Sequence, residues 1–368
     1  MSTNAPSTKA VKWLSDVDKL IESFVIKFKR REIRGSSKVS KETAIVLRQI
    51  ISTGRFQTVQ EILKIIREVG KRLTSAHPIE LAVGNVVRRV LMIIRSAERE
   101  AGKNEGDAKT ADENMGEKLE FSRQLSTLLD AEDEIDSSPE LQSISRTIML
   151  IVEEINELID EIKNSSDTIS ETASDHIHSR EVILTHGFST TVTNFFQAAK
   201  QFREFSVIVA ESSPSFEGHR QAFALSRLGI ECTVITDSAV FAMMPHVHKV
   251  IIGVHAIMPN GGILAHTGAL NIAVAANHYQ KPLVVLSGIH KLCPLYAYDQ
   301  DTFNEHNPPS QVLHFEDELV EEVDVQNPAL DYVVPEHVEL FITNVGSHAP
   351  SYLYRRLAEY YTEQDYDL

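Results

Sequence analysis

Apolar residues recur at helical spacing through the first half of the chain. Leu20, Ile21, Phe24, Val25 and Phe28 share one helical face, and Val59, Ile62, Leu63, Ile66, Val69 and Leu73 share another. Thr58 followed by Glu61 has the spacing of a capping box, which predicts a helix start there. Pro78 is expected to open a further helix with Val83, Val86, Val87, Val90, Leu91 and Ile94 inward. Leu141, Ile144, Ile148, Ile151, Ile155, Leu158 and Ile162 mark another. Stripes of this kind predict a helical bundle.

From about residue 180 the pattern changes to short apolar runs alternating with helical stretches. The runs are Val182–Thr185, Ser206–Ala210, Cys232–Thr236, Val250–Val254, Leu283–Ser287 and Val338–Thr343. Helices are expected at Thr190–Arg203, Glu217–Leu228, Thr267–Gln280 and Pro350–Tyr361. Strand–helix alternation predicts a parallel sheet covered on both faces, with any ligand beyond the carboxyl ends of the strands. The fold class is therefore α/β. An N-terminal helical domain is expected over 1–175 and a Rossmann-like domain over 176–368.

Charge divides the chain unevenly. The net charge is −16, yet residues 1–97 hold 19 Lys+Arg against 8 Asp+Glu. A basic front half can steer an acidic partner, or it can be the solvated face of ordinary helices. Residues 98–140 carry 14 acidic and 5 basic side chains and few large apolar ones, which predicts a disordered acidic insertion. Cys232 and Cys293 are far apart and have no metal or redox spacing. Without an apolar leader or a span-length apolar run, a cytosolic protein that does not enter the membrane is expected. The basic half lacks an RNA-binding module or aromatic stacking groups beside its charge, so no direct nucleic-acid contact is expected.

The post-strand loops are where chemistry would sit. ILTHGFSTTVTNFF lacks both a dinucleotide fingerprint and a nucleophile elbow, and Ser189 or Thr190 reads as a helix cap. The segment around GVHAIMPNGGILAHTG brings His246, His248, His255 and His266 close in sequence, with His246 and His248 expected on one face of a strand. No cysteine or carboxylate is spaced to complete a tetrahedral set, so no metal is expected. No cofactor is expected either.

The segments HGFSTT, AESSPSFEGHR, NGGILAHTG and NPALDYVVPEHVELFITNVG, with HPIELAVGNVVRRV in the helical half, resemble one family. It joins methylthioribose-1-phosphate isomerase and ribose-1,5-bisphosphate isomerase to the alpha, beta and delta subunits of initiation factor 2B. The ending APSYLYRRLAEYY and the helix SAHPIELAVGNVVRRVLMIIR are most similar to its beta-type branch, with the delta type as the nearest alternative.

The isomerases of this family move a proton with a cysteine and an aspartate. The resemblance sets Gly187 at the cysteine's place and His255 at the aspartate's. A proton-transfer pair needs two titratable groups, and glycine has none. The motif R-P-x-x-Q-G becomes Ser213, Pro214, Ser215, Phe216, Glu217 and Gly218; Asn-Lys becomes Ala265 and His266; R-G-A-P becomes Ser75, Ala76, His77 and Pro78. The implied reading is a pocket emptied of its chemistry, with sugar-phosphate isomerase as the rival function. The implied role is a regulatory subunit of the guanine nucleotide exchange complex for initiation factor 2. Its implied partners are alpha, gamma, delta and epsilon subunits of initiation factor 2B, and the alpha subunit of initiation factor 2, whose phosphorylation the core senses. Candidate docking residues in the basic half are Lys27, Lys29, Arg30, Arg31, Arg34, Arg88 and Arg89. Arg89 could instead pair internally with the acidic helix around Glu153–Glu157.

Overall fold

The computed structural model describes residues 8–30, 32–33, 35–107 and 139–368. Five long helices come first: α1 (Thr8–Lys29), α2 (Ser36–Thr53), α3 (Val59–Ala76), α4 (Leu81–Asp107) and α5 (Pro139–Glu171). The predicted stripes form their common core. Ile21, Phe24 and Phe28 of α1 pack with Ile62 and Ile66 of α3, Val83, Val87 and Leu91 of α4, and Ile151 and Ile155 of α5. At the start of α3 the Thr58 hydroxyl accepts the Glu61 N–H at 3.2 Å, and Glu61 Oε2 accepts the Gln57 N–H at 2.9 Å. The reciprocal bond of the box thus lands one residue earlier than its usual place.

Several expectations need correction. Helix α2 was not anticipated, because its inward Val39, Ala44, Leu47, Ile50 and Ile51 mix with Ser40 and Thr43, which are buried too. Pro78 lies in the turn before α4 rather than at its first position. Of the acidic insertion expected over 98–140, α4 takes the start to Asp107 and α5 begins at Pro139; the expectation of disorder falls on 108–138, which lie outside the described residues. Arg31 and Arg34 also lie outside them. Helix α5 runs past the predicted stripe, so that its end reaches the next core through Ile169.

After the short helix α6 (Ala173–His176) the chain enters a sheet. The elements are β1 (Val182–His186), α7 (Thr190–Lys200), β2 (Ser206–Ala210), α8 (Glu217–Arg227), β3 (Glu231–Ile235), α9 (Val240–Met243) and β4 (Lys249–Gly253). They are followed by β5 (Ala256–Ile257), β6 (Ile263–His266), α10 (Ala269–His278), β7 (Leu283–Leu286), β8 (Leu330–Val333), β9 (Leu340–Thr343), β10 (Gly346–His348) and α11 (Leu353–Tyr360). Seven strands make one sheet in the order β10-β9-β7-β4-β1-β2-β3, with β3 as an outer strand. All neighbours are parallel except β9 and β10. Alternate residues serve opposite faces, as the strand period requires. Ile183, Val207, Val209 and Ile251 meet Phe195 and Phe196 of α7 and Leu225 of α8. Leu184, Ile208, Val250 and Ile252 meet Ile272 of α10 and Leu353 of α11. A separate antiparallel sheet, β5-β6-β8, has strands too short for the sequence pattern to predict. Among the described residues no helix is long and apolar enough to cross a membrane.

The segment after α11 ties the two halves together. The Asp365 side chain has no exposed surface. It accepts from Arg67 Nη2 of α3 at 2.7 Å and from Arg95 Nε and Nη2 of α4 at 2.9 and 3.1 Å. Burial pushes this carboxyl up, but the hydrogen bonds and charges of Arg95 and Arg67 outweigh it and hold the group below its usual value. A carboxyl depressed in the folded state stabilises above its unfolded pKa, near 3.9, and the contribution is lost as pH falls below that. Asp365→Ala leaves two arginines partly buried and unpaired. We expect a loss of about 2–3 kcal/mol at pH 7, less than for a fully buried pair because both arginines keep some contact with water. Denaturant unfolding checks this, and the gap between wild type and variant should narrow on acidification.

Candidate functional site

The loops beyond β1, β2 and β4 converge with the end of β6 and the start of α8. His186, the last residue of β1, is buried between two of these loops. Its Nε2 lies 2.9 Å from the Thr267 carbonyl and its Nδ1 3.1 Å from Ser212 Oγ. Ser212 Oγ also accepts the Gly187 N–H at 3.0 Å. A consistent assignment has Nε2 donating to Thr267 and Nδ1 accepting from the Ser212 hydroxyl, with the ring neutral. Burial pushes the imidazole pKa down, in agreement with that assignment.

Ser212 stands at φ 60° and Phe216 at φ 54°, in the left-handed region disfavoured for side-chain-bearing residues. Hydrogen bonds hold the loop in this form: Asp237, just past β3, accepts the Ser212 N–H at 3.0 Å and the Ser213 N–H at 2.6 Å. Gly218 seats α8 directly on the end of β2, where a Cβ would collide with the Ala210 carbonyl oxygen. Gly187 also has positive φ, at 67°, and a Cβ there would stand 3.1 Å from His266 Cδ2.

The structure gathers most of the residues singled out from sequence. His266, exposed at the end of β6, faces Gly187 and lies 3.8 Å from Glu217 Oε2. Ser213 is exposed beside them. His255 points its Nε2 to the Ile79 carbonyl at 3.1 Å and to Glu80 Oε1 at 3.9 Å. Ala265 is the exception: it is buried and belongs to the packed core with Ile263 and Ala269. It is His266, the next residue along β6, that meets Gly187.

The other histidines do not gather. His246 closes a 3-10 turn and His248 precedes β4, where its Nδ1 accepts the Val182 N–H at 3.0 Å, so they do not share a strand face.

The cations nearby are already engaged. Lys291 Nζ donates to the Val254 carbonyl at 2.8 Å, and the Arg220 guanidinium stacks 3.9 Å above the Phe188 ring. Carboxylates Glu80, Glu211 and Glu217 stand beside histidines: Glu80 by His255, Glu211 by His219 and Glu217 by His266. A phosphorylated ligand would meet these carboxylates, and the Arg220 guanidinium nearby is already stacked on Phe188. Asp237, Lys291 and Glu80 were missed from sequence. Asp237 had one available signal, its place two residues beyond a strand end.

In the helical half, Lys27 and Lys29 are exposed on α1 and Arg30 in the turn just after it, with Arg30 4.0 Å from Glu32. Arg88 and Arg89 do not join them. Arg88 is buried with Nε donating to the Tyr366 carbonyl at 3.0 Å, and the Arg89 guanidinium lies 4.2 Å over the Tyr360 ring. Both guanidinium groups are thus engaged within the chain.

Residues 32–350 match the family model described as the initiation factor 2 subunit family. The chain is 41% identical to translation initiation factor eIF2B subunit beta of Dictyostelium discoideum over 370 residues, covering 94% of this chain and 95% of that protein. For the Schizosaccharomyces pombe eIF2B subunit beta the identity is 37%, covering 94% and 96%. A ribose 1,5-bisphosphate isomerase of Methanocaldococcus jannaschii is 24% identical over 95% of this chain and 97% of that one. Among solved structures, eIF2B beta of Chaetomium thermophilum superposes with a TM-score of 0.74 at 26% identity, covering 98% of both chains. A chain of the tetrameric eIF2B-beta2-delta2 complex of C. thermophilum gives 0.70 at 26% identity, covering 97% and 100%.

Lys291 offers a test of this buried geometry. Burial lowers its ammonium pKa to about 8, with Glu80 opposing the shift. An unfolded lysine titrates near 10.4, so between about 8 and 10.4 the unfolded chain binds a proton that the folded chain has released. Stability contributed by this group therefore rises with pH across that window. In Lys291→Met that rise should be absent. Unfolding free energies at pH 7.5 and 10 check this: the wild type should gain on the variant, and a constant difference would contradict the shift.

Proposed function

We propose, on the premise that this chain belongs to the initiation factor 2 subunit family, that it is a non-catalytic, beta-type regulatory subunit of the exchange complex for translation initiation factor 2. Identity of 41% to a beta subunit across nearly the whole of both chains carries the reading. The site supports the non-catalytic part, since Gly187 brings no acid–base group and its position leaves little room for one beside His266. A related beta chain has been solved in a tetramer with delta chains, which supports a delta-type neighbour here. Alpha, gamma and epsilon subunits, docking of the alpha subunit of initiation factor 2 and sensing of its phosphorylation complete the proposal. These rest on the family resemblance. The division into a helical domain to about 175 and a sheet domain from 176 is proposed from the change of pattern along the chain, and a cytosolic location is proposed with it.

Native mass spectrometry of the tagged chain from its own cells tests the assignment. We expect it in a complex with subunits of initiation factor 2B, and recovery of the chain alone counts against the reading. Purified chain should turn over neither methylthioribose-1-phosphate nor ribose-1,5-bisphosphate. Gly187→Cys combined with His255→Asp should remain inactive, because Ser213, Glu217 and His266 give the phosphate no cation. Turnover by the wild type that is lost on changing a pocket residue favours the isomerase instead.

The exposed basic face of α1 is the docking candidate. The triple variant Lys27→Glu, Lys29→Glu, Arg30→Glu should slow association with initiation factor 2, as added salt should, without changing thermal stability. Arg88→Glu with Arg89→Glu should lower stability instead. Unchanged association of an assembled triple variant removes this face from the proposal.

A further inference from the structure

Between β7 and β8 the chain makes a long excursion that closes on itself. Asn307 N–H donates to the Asn327 carbonyl and Ala329 N–H to the Glu305 carbonyl, both at 2.7 Å. The buried Asn327 side chain donates to the Pro308 carbonyl at 3.1 Å and to Gln311 Oε1 at 3.2 Å. Inside this base, local turns fix the backbone: Val312 N–H to Pro309, Asp317 N–H to His314 and Glu322 N–H to Leu319, all at 2.9–3.0 Å. Asp317 Oδ1 also accepts the Leu319 N–H at 3.1 Å.

On this pre-formed loop four large apolar side chains stand in water: Val312 at 53% exposure, Phe315 at 67%, Leu319 at 54% and Val323 at 47%. Glu316, Asp317, Glu318, Glu321, Glu322 and Asp324 surround them, all exposed. Among the described residues none of these carboxylates is ion-paired. There is no lysine or arginine from 312 to 324. A row of exposed apolar groups on an ordered loop costs solvation without adding to the core, and it marks an interaction surface. Its fixed backbone lowers the ordering cost of binding.

We propose that residues 312–324 form a docking ridge for a basic protein surface that carries its own apolar side chains, on a subunit other than this chain. The single sign of the surrounding charge selects the partner's chemistry. A second copy of this chain could offer the end of α1, where Ile26, Lys27 and Lys29 are exposed and Arg30 follows in the next turn. A ridge-to-α1 contact is heterologous, however, and would propagate into open polymers unless its rotation closed a ring. The identification of the partner as another subunit rests on the proposed function.

The test reconstitutes the complex from its purified subunits with the full-length chain. Two variants are compared with wild type: Phe315→Ala with Leu319→Ala, and Glu316→Lys with Glu318→Lys and Glu321→Lys. Hydrogen exchange over 312–323 should slow on assembly. Both variants should weaken the affinity for one subunit by about tenfold or more, and salt should reproduce the charge effect. Because the altered side chains are exposed, the melting temperature of the isolated variants should match wild type. Equal exchange in free and assembled chain, with wild-type affinity in both variants, overturns the ridge while leaving the beta-type assignment intact. Failure of the wild type itself to assemble overturns both. Salt-sensitive polymers of the chain alone that both ridge variants abolish would make a second copy the occupant and overturn the assignment to another subunit.

Discussion

Asp365 sits where water cannot reach its carboxylate, and two guanidinium groups from different helices replace the lost hydration. An isolated charge could not be held there, because the desolvation cost would neutralise it or expel the segment. The pairing works only if α3 and α4 keep a fixed separation and the chain after α11 lies across both. Arg88 and Arg89 extend the same seam to Tyr366 and Tyr360. Four arginines of the basic front half, Arg67, Arg88, Arg89 and Arg95, are thus spent on one segment arriving from the sheet half. Others stay outward, among them Lys27 and Lys29 of α1 and Lys64 and Lys71 of α3.

The site beyond the strands is organised by the same kind of substitution. Backbone N–H groups that could face a ligand at Ser212 and Ser213 are taken by Asp237, and the Gly187 N–H by Ser212 Oγ. The left-handed turns at Ser212 and Phe216 persist because the protein itself completes their hydrogen bonding, through the Asp237 side chain for Ser212 and the Ser212 carbonyl for Phe216. Such loops hold their shape with nothing bound, which is compatible with a subunit that keeps an enzyme-like architecture for its surfaces.

Much of the architecture could be read from the chain. The inward stripes of α1, α3, α4 and α5 are strictly periodic, and the strands β1, β2, β4 and β7 are continuous apolar runs, the pattern of strands buried on both faces. What escaped has physical causes. In α2, Thr43 satisfies its hydroxyl on the Val39 carbonyl, so polar residues could be buried without breaking the helix. Strands β5, β6 and β8 are too short for periodicity to register. In the site, Gly187, Ser213, Glu217 and His266 were identified by motif position and do come together, whereas Ala265 shows that adjacency in a motif does not mean adjacency in a pocket. Glu80 was invisible because its proximity to His255 is created only when the helical half docks beside the strand ends, and Lys291 because it reaches the Val254 carbonyl only through the pairing of β4 with β7.

The outer position of β3 has a consequence for the life of the chain before it meets any neighbour. One side of this strand offers backbone donors and acceptors with no strand beyond them, and Val234 on it is 46% exposed. β3 carries one exposed charge, Glu231, but neither lysine nor proline, with which sheet edges are commonly blunted. Each unassembled copy is therefore a template for stray strands, and the hazard grows with its free concentration. Any backbone that pairs with this edge would remove the hazard by satisfying those donors and acceptors.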